Sequence, residues 1–427
     1  MTTRREFLGT AGLLGTFPFF NAVPTRYPGR ILDLPTPNYL HTMTDQSVIG
    51  LYGSWAAGLR GEGPGELSWR NSSQNNLSSW HEKASRKLEE LLAKPVMPGK
   101  PLINRGNTYT YNGLQVEEIS WDLHYGRPVD AVVLKPSGAR GPLPGILALH
   151  DHGGIKYFGY KKITRTSDTM NSVIAEHQKN DYDGTAWANE IAARGYIVLV
   201  HDAFAFGSRR VMYADVAGIT RGDMNAPDKP DDSTDDPASI TRYNQWASEH
   251  ESVMAKSLFC AGTTWPGVFL AEDQVALDIL ASREDVDPER IGCGGLSGGG
   301  LRTVYLAGTD DRIKCAVCAG FMTTWNDFLL NKSYTHTWMT YTPLLPKYME
   351  FPEILGLRVP LPTLVLNNNE DPLYTLPEMR KADDILKQVY RKADAEKNYQ
   401  CNFYPGGHKF DKAMQADAFD WFDKWLK

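Results

Sequence analysis

From about residue 116 to the C-terminus, short apolar, β-rich runs alternate with stretches whose apolar residues recur every three or four positions. The runs are "EEISWDLHY", "VDAVVLKP", "GILALHDHGG", "YIVLVHDAF", "RIGCGGLSGG", "KCAVCAGF", "PTLVLNNNED" and "YQCNFYPGGH". Their length and residue types predict strands, the first two forming a paired start. Between or after them, "DGTAWANEIAARG", "FLAEDQVALDILASRE", "GLRTVYLAG", "LPEMRKADDILKQVYRKA" and "DKAMQADAFDWFDKWL" predict helices. In the second of these, Leu270, Gln274, Leu277 and Leu280 keep helical spacing, and Asp287-Pro288 breaks the chain before the next strand. Strands alternating with helices predict an α/β fold: a mostly parallel central sheet covered on both faces, with right-handed crossovers.

The pattern is weaker before residue 116. Residues 25–115 are rich in Gly, Pro, Ser and Trp, and only "SSWHEKASRKLEELLAK" reads as a helix, with Leu88, Leu91 and Leu92 on one face. This region is expected to form an N-terminal cap or extension packed on a catalytic domain over 116–427. Segments near 155–182, 211–266 and 321–357 break the alternation and read as insertions above the sheet. The first is partly helical, and the last is aromatic enough to roof a pocket.

Composition narrows the function classes. A net charge of −6 leaves no basic footprint for nucleic acid. Beyond the N-terminal leader no stretch approaches the roughly 18 apolar residues of a spanning helix, so no stable membrane insertion is expected. Residues 1–24 place Arg4 and Arg5 before a mildly apolar run and resemble a twin-arginine export signal, which predicts a periplasmic or extracellular protein. The five cysteines are odd in number and sit at apolar positions; Cys315 and Cys318, although spaced C-x-x-C, read as core.

In a sheet of this class ligands bind at the carboxyl ends of the strands. The polar residues ending the runs therefore matter: His150-Asp151-His152, His201-Asp202, Ser297, Glu370-Asp371 and His408. Ser297 lies in Gly295-Leu296-Ser297-Gly298-Gly299, a G-x-S-x-G between a predicted strand and helix. Small neighbours there allow a sharp turn that lifts the hydroxyl above the sheet. A serine nucleophile needs an oriented base. His408 follows the last strand in a glycine turn, and Asp371 follows the strand before it, with Glu370 as the rival acid. The order Ser297, Asp371, His408 suits a triad. Gly298, and Gly153 or Gly154 in "HDHGG", are candidates for the oxyanion donors. A metal set of His150, His152 and His201 is the rival reading of that loop, but its two glycines explain it without a metal. No phosphate-cradle motif is present, and no cofactor is expected. His152, Arg209 and Trp325 are possible substrate contacts.

From about Trp121 to Lys427 the chain resembles the α/β-hydrolase superfamily, most closely its dienelactone-hydrolase-like and acetyl-xylan-esterase-like branch. The resemblance rests on "LHDHGG", "RGYIVLVHDAFAFGSRR", "GLSGGG", "NNNEDPLY" and "PGGHKF". It implies an α/β-hydrolase fold with the nucleophile at Ser297, the acid at Asp371 and the base at His408. The expected activity is that of an exported serine esterase acting on small-molecule or carbohydrate esters. Peptide, lactone or carbon–carbon cleavage on the same triad remains an alternative, as does a catalytically silent carbohydrate-binding protein.

Overall fold

The computed structural model describes residues 47–61, 63–219 and 231–427; the leader with Arg4 and Arg5 lies outside them. Nine strands form one sheet: β1 (Ile103–Tyr111), β2 (Leu114–Trp121), β3 (Val129–Pro136), β4 (Leu143–Ala148), β5 (Ile197–His201), β6 (Val286–Leu296), β7 (Ile313–Ala319), β8 (Thr363–Asn368) and β9 (Tyr399–Tyr404). Their order is β1-β2-β3-β5-β4-β6-β7-β8-β9. The β1–β2, β2–β3 and β3–β5 pairs are antiparallel, and every pair from β5–β4 to β8–β9 is parallel. The ten α-helices of the described residues are α1 (Gly53–Gly58), α2 (Leu77–Leu92), α3 (Ser172–Tyr182), α4 (Trp187–Ala193), α5 (Pro237–Cys260), α6 (Trp265–Ala281), α7 (Gly298–Thr309), α8 (Phe351–Gly356), α9 (Leu376–Lys392) and α10 (Lys412–Leu426).

Side-chain alternation divides the core into two layers. On β3, Val129, Ala131 and Val133 join the layer that also holds residues of α2, α6, α7, α8 and α9, whereas Val132 and Leu134 join the layer under α4 and α10. β5 repeats the division with Ile197 and Leu199 on one side, Val198 and Val200 on the other. Such strands are buried on both faces, which is why they read as continuous apolar runs. The predicted mostly parallel sheet with helices on both faces is therefore present.

The sheet starts earlier than the sequence pattern indicated. β1 lies within the segment assigned to the N-terminal extension, and its polar "INRGNTYTY" is an edge strand in which only Ile103, Tyr109 and Tyr111 are partly buried. α2, from the same segment, buries Trp80, Ala84, Leu88 and Leu92 in the main core. In the second insertion, the 24-residue α5 is capped by Asp236, which accepts the Ser239 N–H at 2.9 Å. It packs Ile240, Tyr243, Trp246 and Ala247 against Ile174 of α3 in a separate small cluster. No helix among the described residues is long and apolar enough to cross a membrane.

Candidate active site

Ser297 joins β6 to α7 with φ 56° and ψ −118°, a left-handed backbone that costs a serine roughly 1–3 kcal/mol. Its N–H donates to the Ala319 carbonyl at 2.9 Å, tying the turn to the end of β7. The surrounding glycines are explained by contact. A Cβ at Gly295 or at Gly299 would fall 2.1 Å from the Leu149 carbonyl oxygen. The "GCGGLSGGG" run thus lets three backbone segments meet at one turn.

Asp371 and His408 meet beside this turn. His408 Nδ1 lies 2.6 Å from Asp371 Oδ2, and Asp371 Oδ1 accepts the Leu373 N–H at 2.9 Å. The Asp371 side chain is 1% exposed and that of His408 19%, so the pair is sheltered. Gly320, which follows the residue bonded to Ser297, fixes where the imidazole sits. A Cβ on Gly320 would stand 3.0 Å from His408 Cε1 and 2.9 Å from Leu296. The Tyr374 hydroxyl holds the same glycine by donating to its carbonyl at 3.0 Å. His408 Nε2 is buried and has no hydrogen-bond partner among the described residues. Glu370 is exposed and only its backbone is anchored, to the Gly406 carbonyl at 3.1 Å.

The loop after β4 closes the other side. A Cβ on Gly298 would come within 2.8 Å of the His152 nitrogen, so the two backbone segments pack closely there. Neither the His152 nor the Gly298 N–H has an acceptor among the described residues. The Gly154 N–H, one of the donors expected from sequence, is instead donated to His152 Nδ1 at 3.0 Å. This corrects that expectation: the φ of +66° at Gly154 turns its N–H back into its own loop. Gly153, at φ +52°, packs against the Asp151 carboxylate and the His177 ring.

Buried charges surround this loop. Glu251 of α5 receives His152 Nε2 at 2.6 Å, Lys156 Nζ at 2.5 Å and the Thr337 hydroxyl at 2.7 Å. Burial opposes the ionisation of Glu251, but His152 and Lys156 hold its carboxyl well below the usual range. Asp151 is bound by His177 at 3.1 Å and by the Tyr182 hydroxyl, with Lys162 Nζ 3.6 Å from Oδ2. Burial would lower the His177 pKa, yet Asp151 raises it to about 9. His336 lies against Tyr374 and Phe328, its ring 5.0 and 4.8 Å away, and burial lowers its pKa to about 4.

Other expected contacts lie apart. Arg209, 5% exposed, pairs with Glu272 at 2.7 Å and lies over the Tyr125 ring, so it is committed to the scaffold and unavailable to a substrate. Trp325, 4% exposed, donates its indole N–H to the Met349 carbonyl at 3.0 Å. It lines an apolar cavity of about 450 Å³ with Phe328, Tyr341 and Leu344, whose walls do not include Ser297 or His408. The three histidines of the metal reading point to different partners. His150 meets the Asp151 carbonyl, His152 meets Glu251, and His201 meets Asp273 at 3.0 Å beside Arg302. No group of three metal-capable side chains occurs among the described residues. Cys315 and Cys318 are free and buried, and burial pushes their thiols up.

Sequence reasoning missed Lys162, His177, Tyr182, Glu251, His336 and Tyr374. All but Tyr374 lie in the insertions, where no strand end or periodicity marks a position as facing the site.

The sequence model of the prolyl oligopeptidase family matches residues 262–427. YtaP of Bacillus subtilis (strain 168), provisionally classed as a hydrolase, is 27% identical over 314 residues, 73% of this chain and 88% of YtaP. Among solved structures, a protein of Bacteroides fragilis NCTC 9343 provisionally classed as an acetyl xylan esterase superposes with TM-score 0.63 at 16% identity, covering 85% of this chain and 84% of that one. The methylesterase BT1017 gives 0.54 at 18% identity, covering 89% and 69%. A glucuronoyl esterase from Solibacter usitatus gives 0.54 at 13%, covering 84% and 96%. With its sheet order and its strained serine turn between β6 and α7, the chain has the α/β-hydrolase fold that these esterases also carry.

Proposed function

We propose that the protein is a serine hydrolase of carboxylic esters, with Ser297 as nucleophile, His408 as base and Asp371 as the acid orienting His408. The observation that carries this reading is the Asp371–His408 pair, 2.6 Å apart and seated on Gly320 beside the strained Ser297 turn. Asp371 on Nδ1 leaves Nε2 to take the serine proton. Ser297 Oγ attacks the ester carbonyl, and the Gly298 and His152 N–H groups receive the oxyanion. His408 returns the proton to the departing alcohol, then activates the water that releases the acid. The His152 peptide takes the donor role assigned from sequence to Gly153 or Gly154, since its nitrogen is the one packed against Gly298.

Carbohydrate esters are the favoured substrates. Tyr334 and Trp338, 73% and 40% exposed, flank the Thr337 that reaches Glu251 beside His152, and exposed aromatic faces near a site suit sugar rings. The esterases of similar fold support the same choice. Export through the Arg4-Arg5 leader belongs to this reading, and a lysine pair at those positions should hold a reporter fusion inside the cell.

The test compares p-nitrophenyl acetate hydrolysis by wild type and Ser297→Ala. A loss of about a thousandfold or more supports covalent serine catalysis. Equal activity of the two proteins removes it. The match to the prolyl oligopeptidase family favours a second reading, peptide cleavage. Turnover of a proline-containing peptide p-nitroanilide in preference to acetylated sugars would establish that reading over the first.

A further inference from the structure

We propose that Lys162 is a positioning residue for the reaction: its buried ammonium, together with His150, clamps and polarises the Asp151–His152 peptide so that the His152 N–H serves as an oxyanion donor. This rests on the serine-hydrolase reading above. Lys162 closes a short 3-10 turn, Tyr160–Lys162, in the first insertion and is fully buried. Its Nζ donates to the Asp151 carbonyl and, at 3.1 Å, to the His152 carbonyl. The Asp151 carbonyl also receives His150 Nδ1 at 2.9 Å. The Ala203 N–H donates to His150 Nε2 at 3.1 Å, which puts the imidazole proton on Nδ1 and aims it at that carbonyl.

Both lone pairs of one carbonyl are thus taken, one by a cation. In a trans peptide the N–H points opposite to the C=O. Fixing the carbonyl end therefore fixes the direction of the His152 N–H, which lies against Gly298. Positive charge on the carbonyl also draws electron density along the amide and strengthens the opposite N–H as a donor. A buried ammonium is costly unless its contacts repay it. The ammonium lies 4.4 Å from the Phe206 ring and 3.6 Å from Asp151 Oδ2, so its charge is held by the ring, the carboxylate and the two carbonyls together.

Several charged and titratable groups bear on Lys162. Asp151, with His177 and Tyr182 behind it, and Asp202 favour its protonated form, while Lys156 opposes it. Lys162 in turn holds down the protonation of His150. Burial is the dominant influence and lowers the Lys162 pKa to about 8.

The test is the rate at which a fluorophosphonate probe labels Ser297 in the full chain, from pH 6 to 10, in wild type, Lys162→Met and Lys162→Arg. Phosphonylation develops negative charge on oxygen in the same hole and needs no knowledge of the natural substrate. Lys162→Met should label about 10- to 100-fold more slowly at pH 7, part of the loss seen when an oxyanion donor is removed outright. Lys162→Arg should recover to within about threefold of wild type. The wild-type rate should fall as pH passes about 8, and that fall should vanish in Lys162→Met and move beyond pH 10 in Lys162→Arg. Should Lys162→Met not fold, the pH profile of Lys162→Arg decides alone. Equal rates in all three proteins, or a fall near pH 8 that persists in the variants, overturn the role of Lys162. A wild type that the probe does not label at Ser297 overturns the parent reading and this one together.

Discussion

Asp371 and Glu370 are adjacent acids after the same strand, and their surroundings separate them. Asp371 is buried on His408, whereas Glu370 is exposed. Asp371→Asn should lower kcat by roughly 10³–10⁴ through the wrong imidazole tautomer, and Glu370→Gln should stay within about twofold; p-nitrophenyl acetate kinetics on both variants check this. Gly320 offers a sharper test of geometry. At φ +59°, with His408 and Leu296 at 3.0 and 2.9 Å from any added Cβ, alanine must push the imidazole aside. Displacements of about 1 Å at a catalytic group can cost 10²-fold. Gly320→Ala should therefore lose at least about tenfold in kcat while KM holds; unchanged kcat would mean that His408 is not the base.

The elements most legible in the sequence were those with one unbroken period. α9 and α10 fall where "LPEMRKADDILKQVYRKA" and "DKAMQADAFDWFDKWL" placed them, and the serine turn lies between β6 and α7 as its motif required. α5 was obscured because Asn244, His250 and Glu251 interrupt its buried stripe of Ile240, Tyr243, Trp246 and Ala247. Those interruptions are what bring Glu251 to the site, so the position that broke the pattern is the one that ties the insertion to the strand-end loop. β1 was hidden for the opposite reason: an edge strand with little buried surface has no apolar alternation to read. The Lys162 clamp could not be read at all, since it depends on a turn bringing a side chain to a carbonyl eleven residues back. Glu251→Ala should destabilise the fold by about 3–5 kcal/mol, because it leaves the buried Lys156 ammonium unpaired. A urea titration measures this, and Glu251→Ala combined with Lys156→Met should recover much of the loss.

Across the whole molecule, buried ionic pairs link stability to pH. His177 holds its proton more tightly in the fold than in the unfolded chain, with its pKa raised from 6.5 to about 9. The stabilisation it supplies is full below about pH 6.5 and is lost as pH rises through 9. Lys162, shifted down to about 8, acts in the opposite sense, but only above that pH. Between pH 6.5 and 8 the His177 contribution should dominate. The stability advantage of wild type over His177→Gln, from urea midpoints, should shrink from pH 6 to pH 8; an advantage independent of pH would show that the pair is not ionised as described.

The polar first strand has a consequence for how these molecules meet one another. Among the described residues β1 pairs only with β2, so its other border is a row of peptide groups open to the sheet of a neighbour. Asn104, Arg105 and Asn107 keep that border hydrated, and the register shift between Arg105 and Thr108 bends it out of line. The same trio that left the strand unreadable is the kind of polar border that opposes edge-to-edge stacking of copies. Valine at all three positions should leave p-nitrophenyl acetate turnover at the wild-type level while making light scattering rise with protein concentration more steeply than in wild type.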